Sequence, residues 1–173
     1  MAWHEIVKYS PKNYDENGVY TIDEWTSRCD VGKSYQGKIF TLDDYLKVEQ
    51  QYIDVILSIM SVVGCKYLTI KYLEANKKAV AEEIESSKYK NTDSRLLKSL
   101  PLLEEKRRIH YKKISDIVRL CLREYLYVEL SNQEHKLSIE FGYDYYLNVS
   151  CSLSNTVLHD IVKQTGLCLD PRG

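Results

Sequence analysis

The tripeptide Gly32-Lys33-Ser34 is the first place in this sequence where residue types and spacing could do chemistry, because it matches the end of a phosphate-binding loop. Such a loop also needs a glycine five positions before Gly32 and a helix directly after the serine. The earlier position is Ser27, and Tyr35-Gln36-Gly37 predicts a turn or short hairpin instead of a helix. The sequence therefore argues against a nucleotide-binding loop.

Histidine and cysteine offer the other routes to catalysis or metal binding. No CxxC or HExxH pattern occurs among the 4 His and 5 Cys, whereas zinc sites need ligands at short spacing. Cys151 and His159 could act as nucleophile and base, but no third residue that would orient the histidine is recognisable. His110 falls on the apolar side of a predicted helix, which favours a core histidine over a ligand. We expect no catalytic residue, no bound metal and no cofactor.

Tyrosine is the unusual component of the chain, with 15 Tyr against 2 Phe and 2 Trp. Tyrosine combines a large contact area with a polar tip and is enriched at protein interfaces. Asp23, Glu24 and Trp25 form one acidic and aromatic group, and Asp144 and Tyr146 form a second. If the two groups adjoin, they present a negative rim around aromatic anchors, which suits a basic partner. The alternative is that Asp144 stabilises a hairpin turn and Trp25 belongs to the core.

The run FGYDYYLNV, residues 141–149, predicts how the second group is displayed. Side chains in a strand point to opposite faces in alternation. Tyr143 and Tyr145 are therefore predicted to lie on a buried face, and Asp144 and Tyr146 on a polar outer face. We expect the outer face to lie in or beside a partner site.

The net charge of -1 conceals an uneven distribution along the chain. Residues 15–54 carry nine acids against four bases, residues 66–119 carry fourteen bases against eight acids, and residues 120–173 carry seven acids against four bases. The basic middle segment raises the alternative of a nucleic-acid-binding module. Its charges interleave at helical spacing, as in KKAVAEEIE, which is typical of a solvated helix face. The acidic flanks would also repel phosphate, so we expect no direct contact with nucleic acid.

Hydrophobic periodicity predicts two long amphipathic helices and a C-terminal helix. They are predicted over residues 42–63, 101–122 and 154–165, with a shorter helix over residues 76–87. Thr41 can cap the first of these helices, and Pro101 is tolerated only in a first turn, which places the start of the second. Gly166 is expected to end the last helix.

Strand-like runs complete the predicted fold. They are residues 19–27, residues 66–74, and the three runs YLYVEL, KLSIEF and DYYLNVS. Short turns between the last three indicate an antiparallel meander. Helices grouped around a separate antiparallel sheet give an α+β fold. We expect one domain over residues 1–173, with a polar hinge near residues 88–94.

The sequence also indicates the cellular compartment of the protein. No apolar stretch is long enough to span a bilayer, and MAWHEIVKYS lacks the apolar core of a signal peptide. The five cysteines are odd in number and scattered, which indicates reduced thiols. We therefore expect a cytoplasmic protein without membrane contact, whose oligomeric state the sequence leaves open.

Two stretches, Glu24–Asp54 and Glu140–Val149, resemble small immunity proteins of bacterial toxin–immunity systems, notably those of contact-dependent growth inhibition. The matching elements are W-x-S-x-x-D-x-G-K, which begins at Trp25, and FGYDYY, which begins at Phe141. The resemblance implies a cytoplasmic protein without catalysis, which binds the toxic C-terminal domain of a cognate effector, often a nuclease. It would then block the active site or substrate groove of that toxin. The candidate toxin-binding residues are Asp23, Glu24, Trp25, Asp30, Asp144 and Tyr146.

Overall fold

The structure, a computed structural model, describes residues 2–172 and consists of helices packed against antiparallel strands. Its helices are α1 (Leu42–Val62), α2 (Lys77–Ser86), α3 (Lys90–Asp93), α4 (Tyr111–Leu122) and α5 (Asn155–Gln164). Its strands are β1 (His4–Val7), β2 (Ser34–Tyr35), β3 (Lys38–Ile39), β4 (Tyr67–Glu74), β5 (Arg108–His110), β6 (Tyr127–Asn132), β7 (Leu137–Phe141), β8 (Leu147–Ser150) and β9 (Cys168–Leu169). Short 3₁₀ helices lie at Pro11–Asn13, Arg28–Asp30 and Ser94–Leu102.

Seven strands form one antiparallel sheet in the order β5-β4-β6-β7-β8-β1-β9, and β2 and β3 form a separate hairpin. Alternation along the strands gives the sheet one apolar face. A buried row of Ile70, Leu130, Ile139 and Val149 crosses four neighbouring strands. Helices α1, α4 and α5 contribute buried residues to the same core. The predicted α+β fold is confirmed, and so is the meander of β6, β7 and β8.

Helix α1 is the central helix of the core. Thr41 and Asp44 form a capping box, in which each side chain accepts a hydrogen bond from the backbone N–H of the other residue. Its apolar stripe includes Tyr45, Tyr52 and Ile56, all fully buried. The predicted bounds of α1, α2, β4 and α5 are confirmed to within one or two residues.

The predicted helix over residues 101–122 is wrong in its first half. Residues Ser94–Leu102 form a 3₁₀ helix instead, and Lys106 has a left-handed φ of 67°, which an α-helix interior excludes. Strand β5 then pairs with β4, and α4 begins only at Tyr111. The His110 side chain caps α4 by accepting a backbone hydrogen bond in its first turn. His110 is therefore exposed at the helix start and does not lie on an apolar face.

The predicted strand over residues 19–27 is also wrong, because only a single bridge, Tyr14 with Tyr20, forms there. Backbone N–H groups of this segment donate hydrogen bonds to side chains instead of to a neighbouring strand. Asp15 accepts one hydrogen bond from Val19, and Asp30 accepts two hydrogen bonds from the residues just before the 3₁₀ helix Arg28–Asp30. Strands β1 and β9, which the sequence did not predict, complete the sheet beside β8. With four and two residues, they are too short to give a periodic pattern.

A buried network of charges holds the polar segment that was predicted as a hinge. Asp93, at the end of α3, is fully buried and accepts hydrogen bonds from Arg28 at 2.6 Å, Arg123 at 2.6 Å and Tyr125 at 2.5 Å. Arg123 also pairs with Glu49 of α1 through two hydrogen bonds of 2.6 Å. Within residues 2–172, every buried side-chain nitrogen and oxygen has a hydrogen-bond partner. The network thus joins α1, α3, the end of α4 and the segment before β2.

This network makes stability depend on pH through Asp93. Burial acts to raise the pKa of its carboxyl group, but the hydrogen bonds from Tyr125, Thr92 and Arg28, with the charge of Arg123, outweigh burial and hold the pKa below its ordinary value. A carboxyl group with a lowered pKa stabilises the folded state above its unfolded pKa of about 3.9, and this contribution is lost as the pH falls through the folded pKa. We expect the free energy of unfolding, measured in urea, to fall more steeply below about pH 4 in the wild type than in Asp93→Asn. If the free energy of unfolding of the two proteins fell equally with pH, Asp93 would not be the cause of the pH dependence.

Candidate functional site

The tip of the hairpin between β7 and β8 departs from the predicted alternation. β8 begins only at Leu147, after a turn over residues 142–146. Asp144 and Tyr145 both adopt left-handed backbone angles, with φ of 51° and 65°. The prediction that Tyr143 and Tyr145 share a buried face is therefore wrong for Tyr143, which is 93% exposed, and correct for Tyr145, which is buried.

Two buried tyrosines hold this turn from inside the protein. The Tyr9 hydroxyl donates a hydrogen bond to the Asp144 carbonyl at 2.7 Å, and the Tyr52 hydroxyl donates one to the Tyr145 carbonyl at 2.5 Å. Burial raises the pKa of Tyr9 and of Tyr52 well above the ordinary value, so both hydroxyls stay protonated as donors. The Tyr145 ring packs edge-on against Trp25 with ring centroids 5.1 Å apart. These contacts offset a left-handed conformation that costs about 1–2 kcal/mol for each residue other than glycine.

The turn forms one wall of a surface cavity of about 220 Å³, which we call the acidic tyrosine cleft. Its lining includes Tyr9, Tyr20, Asp23, Glu24, Asp144 and Tyr146. Four of the six candidate residues thus lie together, although they come from two segments far apart in the sequence. The two acidic and aromatic groups identified in the sequence therefore adjoin, which is the arrangement that would suit a basic partner.

Tyrosine rings form the aromatic part of the cleft. The Tyr9 ring centroid lies 5.1 Å from that of Tyr20 and 5.7 Å from that of Tyr146. The Tyr20 hydroxyl donates a hydrogen bond to the Glu24 carboxylate, which fixes the acid against the rings. Faces of such rings attract cations, so rings and carboxylates together favour a lysine or arginine side chain.

Lys8 brings one buried positive charge to the cleft. Its side chain is 4% exposed, its ammonium lies 2.6 Å from the Glu24 carboxylate, and it also sits 4.3 Å from the centre of the Trp25 ring. Burial lowers the pKa of Lys8, while the hydrogen bond with Glu24 opposes this shift. Lys8 compensates Glu24, whereas Asp23 and Asp144 are exposed and form no salt bridge within the described part of the chain. Two carboxylates at the cleft are therefore free to meet a partner.

The other two candidates, Trp25 and Asp30, serve the fold, and this corrects their interpretation as surface contacts. Trp25 is buried and stacks on Phe40 with ring centroids 4.4 Å apart. Asp30 is buried, accepts a backbone hydrogen bond from Ser27 as part of a capping box, and pairs with Lys33 at 2.7 Å.

Arg172, which belongs to no recognisable sequence motif, orients one cleft residue. Its guanidinium donates a hydrogen bond to the Tyr146 hydroxyl at 2.8 Å and lies 4.6 Å from the centre of the Tyr14 ring. It also pairs with Asp170 at 2.8 Å, and this hydrogen bond lowers the pKa of the Asp170 carboxyl group. Contacts between the end of the chain and the hairpin therefore fix Tyr146 in place.

The structure also places two of the residues that were considered for catalysis, Ser34 and Cys151. Ser34 starts β2, so the GKS tripeptide leads into a hairpin and not into a helix. Burial raises the pKa of the Cys151 thiol, which disfavours the thiolate that a nucleophile needs. Within residues 2–172 no three His, Cys, Asp or Glu side chains are grouped so that they could hold a metal ion.

Two general properties accompany this site. All five cysteines are free thiols. No helix formed by residues 2–172 has the length and apolar character needed to cross a membrane.

Comparisons with models of protein families, with curated proteins and with solved structures found no match to this chain.

Proposed function

We propose that this chain is an immunity protein, which binds the toxic C-terminal domain of a cognate effector through the acidic tyrosine cleft. The observation that carries the proposal is that Asp23 and Glu24 share one cavity with Asp144 and Tyr146. Aromatic anchors beside exposed acids suit a basic protein surface, where they supply both affinity and rapid association. The resemblance of two stretches of the sequence to immunity proteins supplies the class of partner.

Neutralisation follows from occupying the toxin's own binding site. A nuclease holds its phosphate backbone with lysine and arginine side chains, so its substrate groove is basic. A basic side chain of that groove would enter the acidic tyrosine cleft, pair with Asp23 and Asp144, and lie against the half-buried ring of Tyr146. The toxin would then be blocked sterically and electrostatically, with no catalysis by the immunity protein. Such a role places the protein in the cytoplasm of the cell that it protects.

A growth assay tests the proposal directly. The C-terminal domain encoded by the gene immediately upstream would be expressed in bacteria with and without this protein. We expect the domain to stop growth alone and to be harmless when the protein is present. A harmless upstream domain, or toxicity that the protein leaves unchanged, would overturn the proposal.

Two substitutions in the cleft should weaken toxin binding. Asp144→Asn removes one free carboxylate while keeping a residue type that tolerates the left-handed turn, and Tyr146→Ala removes one ring. Each should reduce the binding free energy by at least about 1 kcal/mol, the usual threshold for an important contact. Isothermal calorimetry with the purified toxin domain measures the change.

The matched controls for these variants are Asp160→Asn and Tyr111→Ala, which alter exposed residues on α5 and at the start of α4. We expect both to bind as the wild type does. Wild-type affinity in folded Asp144→Asn and Tyr146→Ala would remove the cleft from the interface.

A nucleic-acid-binding module is the second candidate function, and one observation favours it. Five exposed basic residues follow one another from the turn before β5 to the first turn of α4: Lys106, Arg107, Arg108, Lys112 and Lys113. Lys77 and Lys78 lie apart from them, because α2 follows the end of β4 that does not pair with β5. Binding of labelled DNA or RNA with an affinity that falls steeply as salt is added would support this function. No binding at low salt would remove it.

A further inference from the structure

The sheet has one face that is not covered by the helices, and we call it the outer sheet face. Paired residues across five strands form a row on this face: Tyr72, Glu129, Glu140, Asn148 and Glu5. All of them are partly or fully exposed, whereas the residues that flank Glu129, Glu140 and Asn148 on β6, β7 and β8 lie in the core. An antiparallel sheet can keep one face in water, but large aromatic side chains are unusual there.

A groove of about 680 Å³ lies where the outer sheet face meets the hairpin tip. Its charged lining residues are all acidic: Glu74, Glu124 and Glu140. Glu129, next to Glu140 in the same row, pairs with Lys71 at 2.9 Å, whereas Glu74, Glu124 and Glu140 form no salt bridge within residues 2–172. The groove therefore carries net negative charge from its three glutamates beside an apolar and aromatic lining.

Tyr143 connects this groove to the acidic tyrosine cleft. It stands at the hairpin tip, is 93% exposed, and lines the groove, while the next residue, Asp144, lines the cleft. The hydrogen bonds from Tyr9 and Tyr52 hold the backbone of the turn. An aromatic side chain presented on a rigid turn loses little conformational entropy on binding, which favours its use as an interface anchor.

We propose that the partner continues from the acidic tyrosine cleft, over the hairpin tip, into the groove as a basic, extended protein segment, with Tyr143 as its aromatic anchor. This inference rests on the proposed function and names a second contact region for the same partner. Charge complementarity selects this occupant. A second copy of the chain docked through the same face would bring these glutamates against each other, and the phosphates of a nucleic acid would be repelled by them.

Affinity measurements with the purified toxin domain encoded upstream test the inference. Tyr143→Ala should weaken binding at least about 30-fold, as expected for an aromatic hot spot, and Glu140→Lys at least about tenfold. The weakening caused by Glu140→Lys should shrink as ionic strength rises. Tyr111→Ala and Glu83→Lys are the matched controls, because they remove another exposed tyrosine and reverse another exposed acid on α2. Glu140→Gln, which removes the charge without adding another, repeats the test if the lysine variant does not fold.

The possible outcomes separate this inference from the proposed function. If Tyr143→Ala and both Glu140 variants bind like the controls while Asp144→Asn and Tyr146→Ala bind weakly, the inference is overturned and the cleft remains the site. If the wild type does not bind the toxin domain at all, both are overturned. If the cleft variants and the outer-face variants all bind the toxin domain more weakly than the controls, the result supports one continuous interface.

Discussion

Replacing Asp93 with alanine should lower the free energy of unfolding by about 3–5 kcal/mol, the usual cost of removing one partner from a buried ion pair. Its carboxylate is fully buried and accepts hydrogen bonds from Arg28, Arg123 and Tyr125. Arg123 keeps Glu49 as a partner in the variant, but Arg28 loses its salt bridge in a region with little access to water. Urea denaturation followed by circular dichroism measures the change.

The control for Asp93→Ala is Asp160→Ala, because Asp160 is exposed on α5 and should change stability by no more than about 0.5 kcal/mol. Asp93→Asn separates charge from size, since the amide fills a similar volume but presents donors to the arginines. Equal stability of Asp93→Ala and Asp160→Ala would show that the buried network adds nothing net to the folded state.

Trp25→Ala should be similarly destabilising, by about 3–5 kcal/mol, because it removes a large buried side chain and leaves a cavity. The indole stacks on Phe40, meets Tyr145 edge-on and lies under the Lys8 ammonium. Its loss would therefore loosen the wall that supports the hairpin turn. The measurement is the urea concentration at the midpoint of unfolding, compared between the variant and the wild type. The comparison holds if the slope of the free energy of unfolding against urea concentration is the same for both.

Trp3→Ala is the matched control for this second variant, since Trp3 is 45% exposed. Its unfolding should remain close to that of the wild type. Trp25→Ala with wild-type stability but without affinity for the toxin domain would restore Trp25 to the list of contact residues.

Much of the fold could be predicted from the sequence because several elements carry a strong local pattern. Thr41, followed by a long apolar stripe, predicted α1, and strand-like runs of residues predicted β4, β6 and β7. The failure over residues 101–110 has a tertiary cause. That segment is rich in helix formers, yet its backbone pairs with β4, and a pairing between distant segments leaves no local signal.

The candidate site was predictable only in pieces. Sequence reasoning identified two acidic and aromatic groups, but not that they meet. It missed Tyr9 and Tyr20, which line the cleft, and Lys8, which pairs with Glu24. The excess of tyrosine was the available signal. The charged core was not recognisable, because Asp93 and Arg123 lie among many charged residues and only tertiary packing makes them buried.

The position of β1 between β8 and β9 sets an order of events during synthesis. His4 pairs with Val149 and Ile6 with Leu169, so this part of the sheet closes only after residues up to Leu169 have been synthesised. Contacts between such distant segments form slowly, because a long loop must close first. The acidic tyrosine cleft likewise joins segments far apart in the sequence, with Tyr9 beside Tyr146. A nascent chain in which residues 144–146 have not yet been made therefore has no cleft.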